Sequence, residues 1–418
     1  MARRDWLLIL LLFAVTRAGV VAAGTWANTA LEQNEGEQFT HLLDGGPALD
    51  MWYRWDAGFY ATIATDGYKW FNERRPDADM AFLPLYPLTV GAIMRASGCG
   101  YTPYLSTCAT VSGLIVSNIA LLAATFLLYD LARRRFDRLV GLGAAALLLV
   151  SPGAIFFSGV YTESLFLLWA ILTFWLLERG QFGWAVGVAC LAVLTRSVGL
   201  ALVPALVWQA LTLNPSPSGR GTSRSGGLPP AFSGKGASRN LALFPFALRE
   251  KGLGDEGWKH FLLACLPALV FIGYVLFAGL HVGEPLAYLS ANEALWGRDI
   301  TRPPWETLLA YFSGGEVSLW GAPLSWFDLV VFLVCLVASV LILRYDRAWG
   351  LFALFAMLIP FASGTLTGMP RFVSVIFPFY IVLAAWLRPR WQLALAGAAS
   401  SALALFVLVR FVTWRWIA

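Results

Sequence analysis

Continuous apolar runs such as GLGAAALLLVSPGAIFF and LVVFLVCLVASVLIL recur almost from end to end of this chain, and they constrain its fold more than any other feature. A membrane barrel strand would alternate apolar and polar residues over about ten positions, which these runs do not. A helix satisfies its backbone groups internally, so it can carry such a run through a bilayer. Composition agrees, with 58% hydrophobic and 13% charged residues and a mean hydropathy of +0.67. These values exclude an ordinary soluble domain, a coiled coil and a disordered chain. The expected fold is an all-α polytopic membrane protein.

Eleven spans are expected, at 5–23, 106–131, 138–157, 163–178, 181–196, 197–213, 258–280, 323–343, 347–362, 371–387 and 391–413. Lys and Arg beside the spans set orientation. With the N-terminus cytoplasmic, the inner face holds Arg3, Arg4, Arg133, Arg134, Arg135, Arg138, Arg179, seven cations between 214 and 259, Arg344, Arg347, Arg388 and Arg390. That is eighteen of the thirty cations, leaving the inner face at +10 and the outer face at −5. An odd span count then puts the C-terminus outside. Arg3, Arg4 and the AAG after the first run also fit a cleaved signal peptide. Arg17 interrupts that run and favours a retained span, with its own side chain expected to snorkel to the interface.

AFLPLYPLTVGAIMRASG, with its two prolines, and YLSANEALWGRDITRPPWETLLAYF, with its mixed charges and aromatics, read as helices lying in the outer interface. The organisation is therefore an N-terminal module 1–213 with outer loop 24–105, an insertion 214–257, and a C-terminal module 258–418 with outer loop 281–322. The insertion is rich in Gly, Ser, Pro and Arg and reads as cytoplasmic and disordered. Cys99 and Cys108 both fall outside and pair if that compartment is oxidising; two free thiols are an equal alternative. The cysteines lack ligand spacing and His41, His260 and His281 form no i, i+4 pair, which disfavours a zinc site.

Three places carry charge where apolar sequence would suffice. MWYRWDAGFYATIATDGYKW sets Arg54, Asp56, Asp66 and Lys69 among aromatic residues, a combination that suits an amphiphilic ligand. An interfacial aromatic belt explains the rings but not the carboxylates. Asp66, followed by Gly67, also reads as a turn aspartate. In SPGAIFFSGVYTESLF, Glu163 borders two apolar runs: it marks a site or ion pair, or it follows a Thr162 cap at a helix start. Arg196 in AVLTRSVGL and Arg371 in SGTLTGMPRFVSV sit at outer ends, where an arginine either snorkels or grips phosphate oxygens. Gly364, Gly368 and Pro370 predict irregular backbone beside Arg371.

In order, RWDAGFYATIATDGY, FLPLYPL, SPGAIFFSGVYTESLF, TRSVGL and GMPRF resemble the family of membrane mannosyltransferases that adds the second mannose to glycosylphosphatidylinositol anchors, the PIG-V-like family, with its bacterial relatives. The resemblance covers roughly residues 50–200 and, more loosely, the C-terminal third. It implies a GT-C-type helical bundle that takes sugar from a polyprenyl-phosphate carrier on the non-cytoplasmic face, with an acidic residue of the first outer loop as base. Asp56 matches that base. Arg54 matches the same motif, while Glu163, Arg196 and Arg371 match the YTES, TRS and PRF motifs. Insertion 214–257 departs from the family.

The expected reaction moves mannose from polyprenyl-phosphate mannose to a lipid-linked or glycan acceptor by a single displacement with inversion. Asp56 takes the acceptor's proton, and Arg196, Arg371 and Arg54 stabilise the departing phosphate. Glu163 orients a sugar hydroxyl or a cation, and Asp66 is the rival base. No metal, cofactor or nucleic acid is expected, and the setting is a bacterial inner membrane with the site outside. A different polyprenyl-phosphate sugar is the nearest alternative. A transporter or lipid-sugar flippase is the alternative from another class, although no internal repeat supports it. The insertion is expected to be dispensable: a chain lacking 216–252 inserts and transfers sugar like the parent, and loss of transfer with normal insertion would refute this.

Overall fold

The computed structural model describes residues 3–34, 43, 45–69, 78–99, 105–212, 255–313, 325–387 and 389–415. Every regular element among them is helical. The first half comprises α1 (Arg3–Ala30), α2 (Pro47–Asp50), α3 (Ala57–Asp66), α4 (Leu85–Ala96), α5 (Leu105–Arg135), α6 (Arg138–Leu149), α7 (Ala154–Ser158), α8 (Glu163–Leu177), α9 (Phe182–Thr195) and α10 (Leu202–Thr212). The second comprises α11 (Asp255–Val282), α12 (Ala287–Trp296), α13 (Pro304–Ser313), α14 (Trp326–Ile342), α15 (Arg347–Ala362), α16 (Met369–Ser374), α17 (Pro378–Trp386) and α18 (Arg390–Val412). The expected insertion lies outside the described residues except for its last three, which already belong to α11.

Among the described residues, four helices are long and apolar enough to cross a membrane: Arg3–Ala30, Ser106–Arg135, Gly257–Val282 and Arg390–Val412. Three of them turn bare apolar faces outward, with Leu11 and Val15 on α1, Leu269 and Leu276 on α11, and Leu395 and Phe406 on α18 all exposed. A surface so apolar is tolerable only against lipid. The protein is an integral membrane protein. Shorter apolar helices, α6, α8, α9, α10 and α15, fill the centre around Phe166, Phe174, Phe352 and Phe377.

Two expected spans are interrupted. The span 138–157 breaks after Leu149, where Ser151, Pro152 and Gly153 end α6, and it resumes as α7. The span 371–387 breaks after Ser374 because Pro378 has no N–H to offer and its ring would meet the carbonyl four residues back. That Ser374 carbonyl instead accepts from the Tyr380 hydroxyl at 2.8 Å. The expected snorkelling of Arg17 is also corrected. Arg17 is buried and points into the first break, donating to the carbonyls of Leu149 at 2.6 Å and Ala154 at 3.1 Å and to Ser158 Oγ at 2.6 Å. The broken helix leaves carbonyls without partners, and a buried guanidinium satisfies them.

The helix ends sort into two levels. At one, Asp5 of α1 accepts from Arg138 and Tyr129, Asp130 of α5 holds Arg133, Arg134 and Arg179, and Arg135 pairs with Asp346. At the other, the Asn34 amide beyond α1 meets the Thr413 carbonyl beyond α18 at 2.9 Å. The described chain thus starts at the basic level and finishes at the opposite one. At the latter level Cys99 and Cys108 are joined in a disulfide that ties α4 to α5.

Asp79, in the tight turn Ala78–Ala81, is 1% exposed and accepts the Lys69 amide at 3.3 Å. Burial pushes its carboxyl up to about 6. The folded protein therefore holds this proton more tightly than the unfolded chain, and stability falls as pH rises from about 4 to about 6. Asp79→Asn is expected to melt higher than the parent at pH 7.5 and level with it at pH 4. Thermal unfolding followed at both pH values checks this, and equal melting at pH 7.5 would refute it.

Candidate active site

Asp56, Glu163, Arg196 and Arg371 converge on one cluster at the level opposite the basic one. Glu163 is the first residue of α8 and fully buried. Its Oε1 accepts from Arg196 Nη1 at 2.6 Å and from Arg371 Nε. Of the two readings open from sequence, the capped helix start fails. Thr162 makes no capping hydrogen bond, and its hydroxyl accepts from Arg196 Nη1 at 2.8 Å. A buried carboxylate left alone would cost several kcal/mol, so the two guanidiniums are what make the position tolerable.

Arg196 follows α9 in an extended conformation, φ −150° and ψ 140°, which turns its side chain back onto the start of α8. Arg371 is held on α16 after Gly368, whose φ of +83° is open to glycine at little cost. The irregular backbone expected around Gly364, Gly368 and Pro370 is present. Arg371 spans the cluster: Nη1 donates to Asp56 Oδ2 at 2.7 Å, and the guanidinium lies over the rings of Phe156 and Tyr161 at 5.0 and 4.8 Å.

Asp56 opens α3 directly after Trp55, a non-glycine residue at φ +54°. Such a backbone is held only where the surroundings over-determine it. Arg54 does the holding. It is 1% exposed, and its guanidinium donates to Asp50 Oδ2 at 2.7 Å, the Asp50 carbonyl at 2.6 Å and Asn28 Oδ1 at 3.0 Å. It also lies over Trp414 at 5.0 Å, while the Tyr161 hydroxyl donates to its carbonyl at 2.7 Å. The structure thus places Arg54 behind the Trp55–Asp56 turn, with its donors committed to protein. Asp66 is exposed at the far end of α3, ten residues and so about 15 Å from Asp56. Gly67 follows at φ +79°, which fits the turn reading.

Sequence reasoning missed Arg298. It follows Gly297, a left-handed residue closing α12, and donates to Ser363 Oγ at 2.9 Å and to the Thr367 carbonyl at 3.2 Å. Arg298 and Arg196 share the ring of Phe372, at 4.7 and 5.6 Å. Gly364 permits the approach, since a Cβ there would lie 2.5 Å from the Asp299 carbonyl oxygen. Burial, with repulsion from Arg196 and Arg371 adding to it, presses the guanidinium down to about 10, still cationic at neutral pH. Among the described residues no carboxylate lies within ion-pair distance of it. Three guanidiniums therefore face two carboxylates, an excess of one positive charge available to an anion. Asp50 was missed too, although its i, i+4 spacing to Arg54 was a readable signal.

Arg54→Gln is expected to destabilise the protein by about 3–5 kcal/mol, because it strands the buried Asp50 carboxylate. Arg298→Gln relieves repulsion and leaves melting unchanged or higher. Thermal melts of both variants test the assignment, and the reverse ranking would overturn it.

Residues 8–214, close to half of the chain, match the family described as Mannosyltransferase (PIG-V). Arg298 and Arg371 lie beyond the matched residues. No curated protein matches the chain in sequence. Among solved structures the chain is similar to ArnT from Cupriavidus metallidurans bound to undecaprenyl phosphate, at 11% identity and TM-score 0.43, covering 96% of this chain and 75% of that one. It is also similar to the Archaeoglobus fulgidus oligosaccharyltransferase. The apo form gives 14% identity and TM-score 0.41, covering 98% of this chain and 56% of that one. The complex with zinc and sulfate gives 14% and 0.38, covering 94% and 53%.

Proposed function

We propose, from the match of residues 8–214 to the PIG-V mannosyltransferase family and from the geometry of the site, that the chain is a membrane glycosyltransferase of that family and moves mannose from a polyprenyl-phosphate-mannose donor to a lipid-linked or glycan acceptor. The observation that carries this reading is Asp56 held against Arg371 in a cluster with one guanidinium to spare. The site faces the extracytoplasmic side of a bacterial inner membrane, in keeping with the +10 and −5 division of loop charge.

Transfer needs a group to take a proton and groups to accept a departing phosphate. As the acceptor oxygen bonds to the anomeric carbon, its proton passes to the Asp56 carboxylate. The bond from that carbon to the phosphate oxygen breaks, and the electron pair leaves on the phosphate. Arg371, Arg196 and Arg298 surround the place where that charge develops, within a buried setting that strengthens their effect. Attack from the face opposite the phosphate inverts the anomeric centre. Glu163 holds Arg196 and Arg371 in register, and Arg54 acts through the Trp55 turn and does not touch the phosphate.

Asp56→Asn is expected to lower mannose transfer by at least about a hundredfold, whereas Asp66→Asn leaves it within a few fold of the parent. Arg371→Ala raises KM for the lipid donor. Transfer from radiolabelled polyprenyl-phosphate mannose into membrane lipid checks all three. Equal activity of parent and Asp56→Asn removes Asp56 as base, and a larger loss in Asp66→Asn moves the base there.

A further inference from the structure

Among the described residues, two that are not glycine hold a left-handed backbone, Trp55 at φ +54° and Trp414 at φ +58°. Far apart in sequence, they pack on each other, with ring centroids 5.3 Å apart. Trp414 ends α18 in a motif that ordinarily uses glycine. The Arg415 N–H returns to the Arg410 carbonyl at 2.9 Å and the Trp414 N–H to that of Phe411 at 3.3 Å, which leaves residue 414 in the left-handed region. A glycine would sit there without a Cβ to clash, so the backbone alone disfavours tryptophan. What the tryptophan adds is a ring, and the ring meets the turn before Asp56. Besides touching Trp55, it lies under the Arg54 guanidinium at 5.0 Å, while Arg54 Nε donates to the Val412 carbonyl at 3.5 Å. The backbone behind the ring is itself tied down. Asn34 donates its amide to the Thr413 carbonyl at 2.9 Å and its Nδ2 to the Trp414 carbonyl at 3.3 Å. One turn earlier, Phe411 packs on Phe156 and Tyr161 at 5.7 and 5.9 Å, the two rings over which Arg371 lies.

We propose that Trp414 is a positioning residue for Asp56, its ring holding Arg54 and Trp55 so that the carboxylate after them is presented to the cluster. Asp56 directly follows Trp55, and a left-handed residue at that point sets the direction in which α3 departs. Strain at Trp55 persists only while its surroundings hold it, and Trp414 is part of those surroundings. Residues 412–414 lie outside the 8–214 that match the mannosyltransferase family. A tryptophan that merely ended α18 would affect melting and leave turnover untouched. A tryptophan that positions Asp56 changes turnover and leaves donor affinity intact, because it stands behind the base and not beside the phosphate.

The inference rests on the reading of Asp56 as the base, and the test separates the two. Parent, Trp414→Gly, Trp414→Phe, Asp56→Asn and the Trp414→Gly, Asp56→Asn double variant are compared in nanodiscs by mannose transfer from polyprenyl-phosphate mannose and by amide hydrogen exchange. Glycine accepts the backbone of residue 414, so Trp414→Gly removes the ring without straining the end of α18. Its kcat is expected to fall at least about tenfold, the scale of a misplaced catalytic group, while KM for the donor stays within about threefold. Trp414→Phe, which keeps a ring, recovers most of kcat. Added to Asp56→Asn, the glycine costs less than about twofold, because both changes act on one step. The Ala57 and Gly58 amides, which donate to the Arg54 and Trp55 carbonyls at 3.1 and 3.4 Å, are expected to exchange at least about tenfold faster in Trp414→Gly. Parental kcat in Trp414→Gly overturns the proposal, and so does a lower kcat with parental exchange at those two amides or a full tenfold loss in the Asp56→Asn background. Should the parent transfer no mannose, or Asp56→Asn transfer it like the parent, the reading of donor or base fails, and the exchange rates alone decide whether Trp414 holds the turn.

Discussion

One buried carboxylate organises the far level of this protein. Glu163 is fully enclosed, and its Oε1 is shared by guanidiniums 33 and 208 residues away in sequence. The nearer one arrives by simple geometry. Helices α8 and α9 are joined by a tight turn with Gly180 at φ +71°, so the end of α9 returns beside the start of α8. The farther one has to be delivered by α16, which fixes where the second half of the chain sits against the first. Such a triad yields little net stability after desolvation. What it returns is a defined position for two cations, and through Arg371 a defined neighbour for Asp56.

Every residue of the cluster stands where a helix stops or starts. Asp56 precedes α3, Glu163 opens α8, Arg196 follows α9, Arg298 follows α12 and Arg371 follows the glycine before α16. Irregular backbone within a membrane protein survives only where it is covered by protein or lines a polar space. Breaks gathered at one level therefore create both the need for polar partners and the supply of them. The Thr367–Gly368 peptide and the Trp55 turn are instances of backbone that side chains from other helices hold in place.

The sequence announced the helical membrane class because that depends on total apolar content, which a linear reading measures directly. It announced Asp56, Glu163, Arg196 and Arg371 because charge stands out against long apolar runs. It failed where the answer depends on which side of a helix meets protein. Arg17 read as a snorkelling residue because a span looks the same whether it faces lipid or a broken neighbour. Arg54 read as a phosphate-binding residue because it shares the RWD motif with Asp56, yet Trp55 between them, at φ +54°, turns their side chains to different tasks. The proline in SPG was visible, but averaging over an apolar run hides a break that matters. Arg298 had no local signal, since its role comes from the approach of its loop to Gly364.

The arithmetic of charge in the cluster bears on how the proposed reaction starts. Arg371 Nη1 lies 2.7 Å from Asp56 Oδ2, so the proposed base and a donor phosphate reach for one guanidinium. A phosphate drawn in by the spare positive charge of Arg298 competes with Asp56 for the same guanidinium. On that reading, donor binding weakens the Asp56–Arg371 pair and leaves a carboxylate oxygen of Asp56 for the acceptor hydroxyl. The proposed base would then exchange its ion pair for the acceptor hydroxyl as the donor phosphate takes Arg371, and the excess of one cation over two carboxylates is the condition that makes the exchange favourable.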